Sequence, residues 1–209
     1  MSRAKYRNFI SQFAFCKPHI GNKRKILEIG SGEGQTIFYL DKMGYDVVGI
    51  EPDAKNTSRI NSTLKNSKVI HSFIEDFSSF EKYDIIWMAH VLEHLVEPDV
   101  FLQKIKECLE INGIFFIEVP NSEHVDTLKD SIFGSPHVYH FSKDTLINLC
   151  KNAGFDIITS DIFRPATKFE GMLNKLFKKI INIYPYYPRI LCDRKYGRDL
   201  RILLKLQAN

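Results

Sequence analysis

The stretch ILEIGSGEGQT, residues 26–36, decides the fold of this chain of 209 residues. Its first half is apolar and fits a buried strand, and its second half contains Gly30, Gly32 and Gly34. Glycine adopts positive φ angles and lets a ligand approach the backbone without a Cβ in the way. A strand, a glycine-rich turn and a helix N-terminus, in this order, form a nucleotide-cofactor site at the edge of an α/β sheet.

The spacing within the turn separates two classes of cofactor. A dinucleotide fingerprint GxGxxG needs glycine or alanine at position 35, where this chain has Gln35. The acidic residue Glu28 precedes the first glycine by two positions. The pattern E-x-G-x-G-x-G resembles the first motif of the small-molecule class I S-adenosylmethionine-dependent methyltransferases. The resemblance implies cofactor contacts from Glu28, Gly30, Ser31, Gly32 and Gly34. The alternative interpretation is a tight loop without a ligand.

Short apolar runs alternate with amphipathic segments along the rest of the chain. Seven strands are predicted, at residues 25–29, 46–50, 69–71, 83–89, 113–119, 155–163 and 201–207. Helices are predicted at residues 3–17, 33–43, 54–66, 98–112 and 142–152. Because several strands are apolar on both faces, the predicted class is α/β, with a doubly wound, mostly parallel sheet. The resemblance implies a Rossmann-like sheet of seven strands with an antiparallel last strand.

The length of the chain fits a single domain, residues 1–209. The predicted parts are an N-terminal helix at 1–24, a cofactor-binding core at 25–163, a basic lid or insertion at 164–198 and the last strand at 199–209. No apolar run of about 18 residues occurs, so no membrane-spanning helix is expected. The N-terminus lacks the pattern of a signal peptide. Four scattered cysteines without a CxxC pair predict reduced thiols and a cytoplasmic protein.

The net charge of +4 is unevenly distributed along the chain. Residues 164–209 contain eleven Lys or Arg and three Asp or Glu, so they carry +8 and the remainder carries −4. This asymmetry predicts an anionic partner or substrate for the C-terminal part. Within it, residues 168–189 combine an apolar stripe with a basic flank. Three interpretations remain open: a substrate lid, a dimer surface or ordinary core helix, and an interfacial membrane helix.

Two acidic positions follow the second and third predicted strands. Glu51 lies 21 residues after the first glycine of the turn, where a carboxylate accepts hydrogen bonds from both ribose hydroxyls. Its neighbour Pro52 is expected to line the same site. By resemblance, Asp76 contacts the adenine amino group, and Ile74 and Glu75 line the adenine pocket. The alternatives are a solvated carboxylate at Glu51 and a helix cap or surface acid at Asp76.

The phrase YDIIWMAHVLEHLVEP, residues 83–98, carries the second resemblance to the same methyltransferases. The two motifs together cover roughly residues 24–162, and they specify the superfamily but no substrate. Ala89 and His90 follow the fourth strand, so they are expected to line the methionine end of the cofactor. A metal pair of His90 and His94 needs a further ligand, and the HExxH context is missing, so no metal is predicted.

A third phrase, SPHVYHF at residues 135–141, precedes the helix that leads to the sixth strand. It resembles the HxxHF phrase of the same methyltransferase group, which implies that His137 and His140 reach the substrate side. Histidine is a suitable general base near neutral pH, because its ordinary pKa is about 6.5. The candidate catalytic residues are therefore His140, His137 and His94. The alternative is that these histidines only stabilise the loop or hydrogen-bond backbone.

These motifs predict a methyltransferase that uses S-adenosylmethionine and releases S-adenosylhomocysteine. Several histidines at the predicted mouth favour O-methylation of a small molecule or a sugar or glycan precursor. The basic C-terminal part favours an anionic acceptor. Nucleic acid is disfavoured as a substrate, because the tetrapeptide DPPY or NPPY of amino-group methylating enzymes is absent after the fourth strand. A membrane surface and a homodimer are secondary possibilities. Two other functions stay open: a non-catalytic partner subunit and a nicotinamide-dependent oxidoreductase, which Gln35 disfavours.

Overall fold

The structure is a computed structural model that describes residues 3–77, 81–134, 137–170, 172 and 189–208. The strands are β1 (Lys25–Ile29), β2 (Asp46–Glu51), β3 (Lys68–His71), β4 (Tyr83–Ala89), β5 (Leu109–Pro120), β6 (Phe155–Pro165), β7 (Arg189–Leu191) and β8 (Asp199–Leu206). The helices are α1 (Arg3–Ile20), α2 (Gln35–Lys42), α3 (Ala54–Asn61), α4 (Pro98–Cys108), α5 (Val125–Lys129) and α6 (Lys143–Asn152).

The eight strands of the described residues form one sheet in the order β3-β2-β1-β4-β5-β8-β6-β7. Strands β1 to β5 pair in parallel, and β8 is inserted antiparallel between β5 and β6. The predicted α/β class and the antiparallel last strand are therefore confirmed. The sheet has one strand more than predicted, because the short strand β7 pairs with the edge strand β6, with Phe163 opposite Leu191. This pairing satisfies backbone groups that an open edge leaves unpaired.

Helices cover both faces of the sheet, which explains why its central strands are apolar throughout. On one face, Ile85 and Trp87 of β4 belong to a core that also contains Phe9 of α1 and Ile37 of α2. The opposite face of β4 packs with residues of α4 and α6. Strand alternation divides β4 between two cores, so its apolar side chains are buried except for Ala89, which lies at the end of the strand.

Predicted boundaries are wrong by three residues or more at three places. Helix α3 ends at Asn61 instead of residue 66, and α1 continues to Ile20 with Pro18 inside its last turn. The largest difference is at the junction of α4 and β5, where the strand begins at Leu109 although Asn112 was predicted to end the helix. Leu109 is fully buried and pairs with Tyr83, so tertiary packing favours strand over helix at this point.

The basic segment at residues 164–198 lies mostly outside the described residues, which omit 171 and 173–188. The lid, dimer and membrane interpretations of this segment stay predictions, as does the division of the chain into parts. Within the described part of the chain, no helix is long and apolar enough to cross a membrane.

Candidate cofactor and acceptor site

The glycine-rich turn joins β1 to α2 at the carboxyl edge of the sheet. Gly30, Gly32 and Gly34 have φ angles of 74°, 53° and 79°, the left-handed region that glycine adopts most readily. A Cβ on Gly30 would lie 2.4 Å from Cγ2 of Val91. A Cβ on Gly32 would meet no atom within 4 Å, so the backbone at this position faces open space. The turn is therefore a cradle that a cofactor can approach closely.

Glu51 fixes the turn from the end of β2. Its Oε2 accepts a hydrogen bond from the backbone N–H of Gly32 at 2.6 Å, and its Oε1 accepts one from Asp53 at 3.1 Å. The next residue, Pro52, is exposed, and its carbonyl oxygen lies 3.0 Å from Nε2 of His71. The fold thus brings Glu51 to the cradle from 19 residues away. The ribose contact of Glu51 and the site role of Pro52 stay predictions.

Glu75 and Asp76 lie in a turn that follows β3. Both residues are exposed, and Ile74 beside them is half-buried. The turn lies next to the end of β2, because the backbone N–H of Ser72 donates to the carbonyl oxygen of Glu51 at 3.2 Å. This places the predicted adenine residues near Glu51, the predicted ribose partner. Their contacts with adenine stay predictions.

A cavity of about 210 Å³ lies beside the cradle, between the sheet and helices α1 and α2. Five predicted cofactor residues line it: Glu28, Gly30, Ser31, Ala89 and His90. Sequence reasoning missed the remaining lining residues, which are Asn8, Phe9, Gln12, Ile29, Gln35, Thr36 and Trp87. Helix α1 was predicted only as an amphipathic helix, and its polar positions carry no local motif. Only the packing of α1 over the sheet shows that it forms one wall of the cavity.

Glu28 is a buried carboxyl group at the inner end of this cavity, with 4% of its surface exposed. Burial raises its pKa to about 7, although hydrogen bonds from the Ser31 and Thr36 hydroxyls and from the backbone of Ile37 lower it. The Ser31 Oγ donates to Oε2 of Glu28 at 2.8 Å. Glu28 is therefore an acceptor that a cationic group entering the cavity would stabilise in its charged form.

His90 lines the cavity, and its backbone has a φ angle of 56°, in the left-handed region that residues other than glycine seldom adopt. Its Nδ1 lies 3.5 Å from Oε1 of Glu93, and its Nε2 lies 3.2 Å from Oε1 of Glu118. Desolvation lowers the pKa of His90, but the hydrogen bonds and charges of Glu118 and Glu93 outweigh it, so the pKa lies well above its ordinary value. A carboxylate near each ring nitrogen favours the protonated form of His90, which makes it a poor general base.

Glu118 and Arg201 form an ion pair with no exposed surface behind His90. The Nε of Arg201 donates to Oε2 of Glu118 at 2.5 Å, and Nε2 of Gln12 donates to Oε1 at 2.7 Å. Burial raises the pKa of Glu118, but the charges of Arg201 and His90 outweigh it and hold this pKa far below its ordinary value. Neither residue was a predicted site residue, because no motif links Glu118 to Arg201 across 83 positions of the chain.

The three candidate catalytic histidines lie together on the other side of Glu93. The rings of His94 and His137 meet edge to face, with 4.6 Å between their centroids. The Oγ of Ser131 lies 2.5 Å from Nδ1 of His137 and 3.1 Å from Nδ1 of His140. The fold therefore brings His94, His137 and His140 together in one cluster. Their catalytic role stays a prediction.

Ser131 is a member of this cluster that sequence reasoning missed. It lies in a π-helical turn, Asp130–Gly134, a geometry that occurs often at functional sites. Burial lowers the pKa of His137, and the nearby His94 and His140 add to the effect against an opposing contribution of Glu93. The lowered pKa favours the neutral form of His137, which suits a proton acceptor.

Glu93 connects the histidine cluster to the cavity. It is buried, with 1% of its surface exposed, and it contacts His90, which lines the cavity. One oxygen of Glu93 and one ring nitrogen each of His94 and His137 lie within 4.8 Å of one another. The prediction that the site has no metal stays a prediction, because residue type and spacing alone do not decide it.

A doubly wound sheet with an antiparallel strand inserted near one edge, a glycine cradle after β1 and an acid after β2 define a class I methyltransferase architecture. A family profile described as a methyltransferase domain matches residues 2–160. The chain belongs to this family. The prediction of a class I, S-adenosylmethionine-dependent methyltransferase is therefore confirmed at the level of family and fold.

Curated relatives match only part of their length. The chain is 27% identical over 101 residues to a ubiquinone biosynthesis O-methyltransferase of Bradyrhizobium diazoefficiens, covering 46% of this chain and 40% of the relative. It is 30% identical over 113 residues to the enzyme of the same name from Pelagibacter ubique, covering 52% and 45%. The chain thus spans less than half the length of these relatives.

Solved structures match nearly the whole chain. A methyltransferase from Archaeoglobus fulgidus, described as S-adenosylmethionine-dependent, superposes with a TM-score of 0.70 at 15% identity, covering 95% of this chain and 94% of its own. The plantazolicin methyltransferase BpumL, solved with S-adenosylhomocysteine, superposes with a TM-score of 0.72 at 16% identity, covering 99% and 87%. At these identities the likeness shows the shared fold.

Proposed function

We propose that this protein transfers a methyl group from S-adenosylmethionine to an oxygen atom of a small-molecule or sugar-type acceptor. The observation that carries the proposal is the continuity of the site. His90 lines the cavity beside the glycine cradle, His90 contacts Glu93, and Glu93 adjoins the cluster of His94 and His137. A cofactor site and a set of proton acceptors thus share one edge of the sheet.

The residues of the cradle and the cavity suit this cofactor. When bound, S-adenosylmethionine supplies a methyl group activated by a sulfonium sulfur. Gly32 leaves open space for close approach, and Glu51 presents its carboxylate for the ribose hydroxyls. Glu28 offers a buried carboxyl group to the ammonium of the methionine end. These residues mainly bind and align the donor, because the sulfonium is already a good leaving group.

The acceptor side supplies the base that oxygen methylation needs. An alcohol or phenol must lose its proton as the new bond to carbon forms. His90 is excluded because both of its ring nitrogens face carboxylates. His137 is the first candidate, since in the tautomer whose Nδ1–H donates to the Ser131 Oγ the unprotonated Nε2 takes the proton. His140, on the same serine hydroxyl, is the second candidate.

The acceptor class rests on weaker support. The names of the curated relatives favour an oxygen acceptor, and the +8 charge of residues 164–209 favours an anionic one. We therefore propose a hydroxylated small molecule or nucleotide-linked sugar that carries a negative charge. A homodimer and contact with a membrane surface stay predictions.

Calorimetric titration with S-adenosylhomocysteine and with NAD tests the cofactor. We expect micromolar binding of S-adenosylhomocysteine alone, and Glu51→Ala should weaken it at least about tenfold, because the ribose loses a charge-assisted hydrogen bond. Lys65→Ala, an exposed change beyond α3, is the control. Binding of NAD would favour the oxidoreductase. Binding of neither ligand would favour a partner subunit that keeps the fold without the activity.

The acceptor and the base are tested together with methyl-labelled S-adenosylmethionine. The panel contains a catechol, 3,4-dihydroxybenzoate, and a nucleotide sugar, UDP-glucose. Because the pKa of His137 is lowered, the rate should fall only at acidic pH. His137→Ala should reduce kcat about 100-fold and remove this fall, and exposed His19→Ala should change nothing. An unchanged pH profile in His137→Ala and His140→Ala would remove both residues from the role of base.

A further inference from the structure

We propose that Arg201 and Glu118 are positioning residues for cofactor binding, and that together they hold two walls of the cofactor cavity in place. One wall is the ring of His90, and the other is helix α1. This inference rests on the assignment of the cavity to the cofactor. It assigns a task to the last, antiparallel strand, which lines no part of the cavity itself.

The carboxylate of Glu118 contacts three separate parts of the fold. Its Oε2 accepts from Nε of Arg201 on β8 at 2.5 Å. Its Oε1 accepts from Nε2 of Gln12 on α1 at 2.7 Å and lies 3.2 Å from Nε2 of His90. Gln12 and His90 both line the cavity. One buried carboxylate therefore contacts two cavity-lining side chains, one on α1 and one after β4.

The guanidinium of Arg201 makes further contacts with the same helix. One terminal nitrogen donates to Oγ of Ser11 at 2.8 Å, and the other lies 3.5 Å from Oδ1 of Asn8, a cavity-lining residue. The guanidinium also lies 4.4 Å from the ring centroid of Phe163. Its planar fork allows Arg201 to bond Glu118 and α1 simultaneously, which a lysine ammonium does less well.

Stability alone does not account for an ion pair at this place. Replacing a buried pair with apolar residues of similar volume is often neutral or stabilising. The neighbours of Arg201 on β8, Leu200 and Ile202, are themselves fully buried apolar residues. The additional hydrogen bonds of the pair go to α1 and His90, which form the cavity. The arrangement therefore favours positioning over a general contribution to packing.

Loss of the ion pair should affect binding of the amino-acid end of the cofactor but not binding of its ribose. His90, Gln12 and Asn8 line the cavity that holds Glu28, the proposed partner of the amino-acid end. Glu51, the proposed ribose partner, does not line this cavity. Loss of the ion pair should lower the affinity for a ligand that has the amino-acid end and leave the affinity for a ligand without this end unchanged. S-adenosylhomocysteine and 5′-methylthioadenosine provide this comparison.

Fluorescence titration measures both affinities directly, because the chain contains one tryptophan, Trp87, and it lines the cavity. The main variant is the double change Glu118→Leu with Arg201→Met, which removes both charges and leaves neither one unpaired. We expect its affinity for S-adenosylhomocysteine to fall at least about tenfold, the effect of losing one or two good hydrogen bonds. Its affinity for 5′-methylthioadenosine should stay within about threefold of the wild type.

Two further variants distinguish a positioning role of the ion pair from a purely structural one. Arg201→Lys keeps the charge but loses the planar guanidinium, so the affinity for S-adenosylhomocysteine should fall about threefold to tenfold. This variant provides the test if the double variant does not fold. Arg194→Met removes an exposed ion pair with Asp144 and should change neither affinity. Unchanged affinity in the double variant, or an equal loss for both ligands, would overturn the proposal. Failure of the wild type to bind S-adenosylhomocysteine would instead refute the proposed function.

Discussion

Replacing Glu28 by glutamine should change how the stability of the protein depends on pH. The carboxyl group is buried, and its pKa rises from 4.5 in the unfolded chain to about 7 in the folded protein. Each unit of pKa difference corresponds to about 1.4 kcal/mol. The ionised form of Glu28 therefore lowers the free energy of unfolding by about 3 kcal/mol at high pH.

The direction of the effect follows from which state binds the proton. Between pH 4.5 and 7 the folded protein keeps a proton on Glu28 that the unfolded chain releases. The stabilising contribution is thus fully present below pH 4.5 and is lost as the pH rises through about 7. The Glu28→Gln variant has no such loss. Its stability relative to the wild type should therefore rise by about 3 kcal/mol from pH 4.5 to pH 8.

Urea unfolding of both proteins across this pH range measures the difference. Equal m-values would show that both proteins expose the same surface on unfolding. Ser31→Ala is a matched variant that should steepen the pH dependence, because the Ser31 hydroxyl lowers the pKa of Glu28. Saturating S-adenosylhomocysteine should reduce the pH dependence of stability in the wild type, because the ammonium of the ligand is expected to pair with ionised Glu28. A difference between Glu28→Gln and wild type that stays constant within about 0.5 kcal/mol would refute the reasoning.

Three further substitutions test the turn and the neighbouring helix. Gly30→Ala should destabilise the protein by about 2 kcal/mol or more in thermal unfolding, because its Cβ would lie 2.4 Å from Val91 at a φ of 74°; a change below about 0.5 kcal/mol would show that the turn relaxes freely. Gly32→Ala should cost less stability, since its Cβ meets no atom within 4 Å, yet calorimetry should show weaker binding of S-adenosylhomocysteine; unaltered binding would place the cofactor elsewhere. Asp53→Ala should cost about 1 kcal/mol in urea unfolding, because Asp53 caps α3 by accepting from the N–H of Asn56 at 2.7 Å; no change would mean that the Glu51 contact alone holds this end.

Much of the fold is visible in local sequence patterns. Residues 25–29 predict β1 with its observed bounds, and residues 83–89 predict β4. Both runs are apolar on both faces, which requires helices on both sides of the sheet. Boundaries that depend on packing were less predictable. Leu109 starts β5 because its side chain is buried in the core, although its neighbours continue a helical pattern.

The candidate site divides in the same way. The turn at residues 30–34 and the acid at Glu51 follow from spacing alone, because a strand end fixes the position of the next few residues. Resemblance further indicated His137 and His140 as substrate-side residues. The serine hydroxyl that both rings contact was not predicted, since Ser131 lies in a separate turn whose π-helical geometry has no pattern in the sequence.

Local sequence patterns specify the class of the sheet, the cradle and the family, because these depend on backbone conformations that a few neighbouring residues set. The side chains that complete the cavity depend instead on tertiary packing. Glu118 meets Gln12 across 106 positions and Arg201 across 83 positions of the chain. Such contacts form only when strand insertion and helix packing bring distant segments together. No local sequence pattern specifies such contacts, so the buried network of Glu118, Arg201 and Gln12 is not predictable from the sequence.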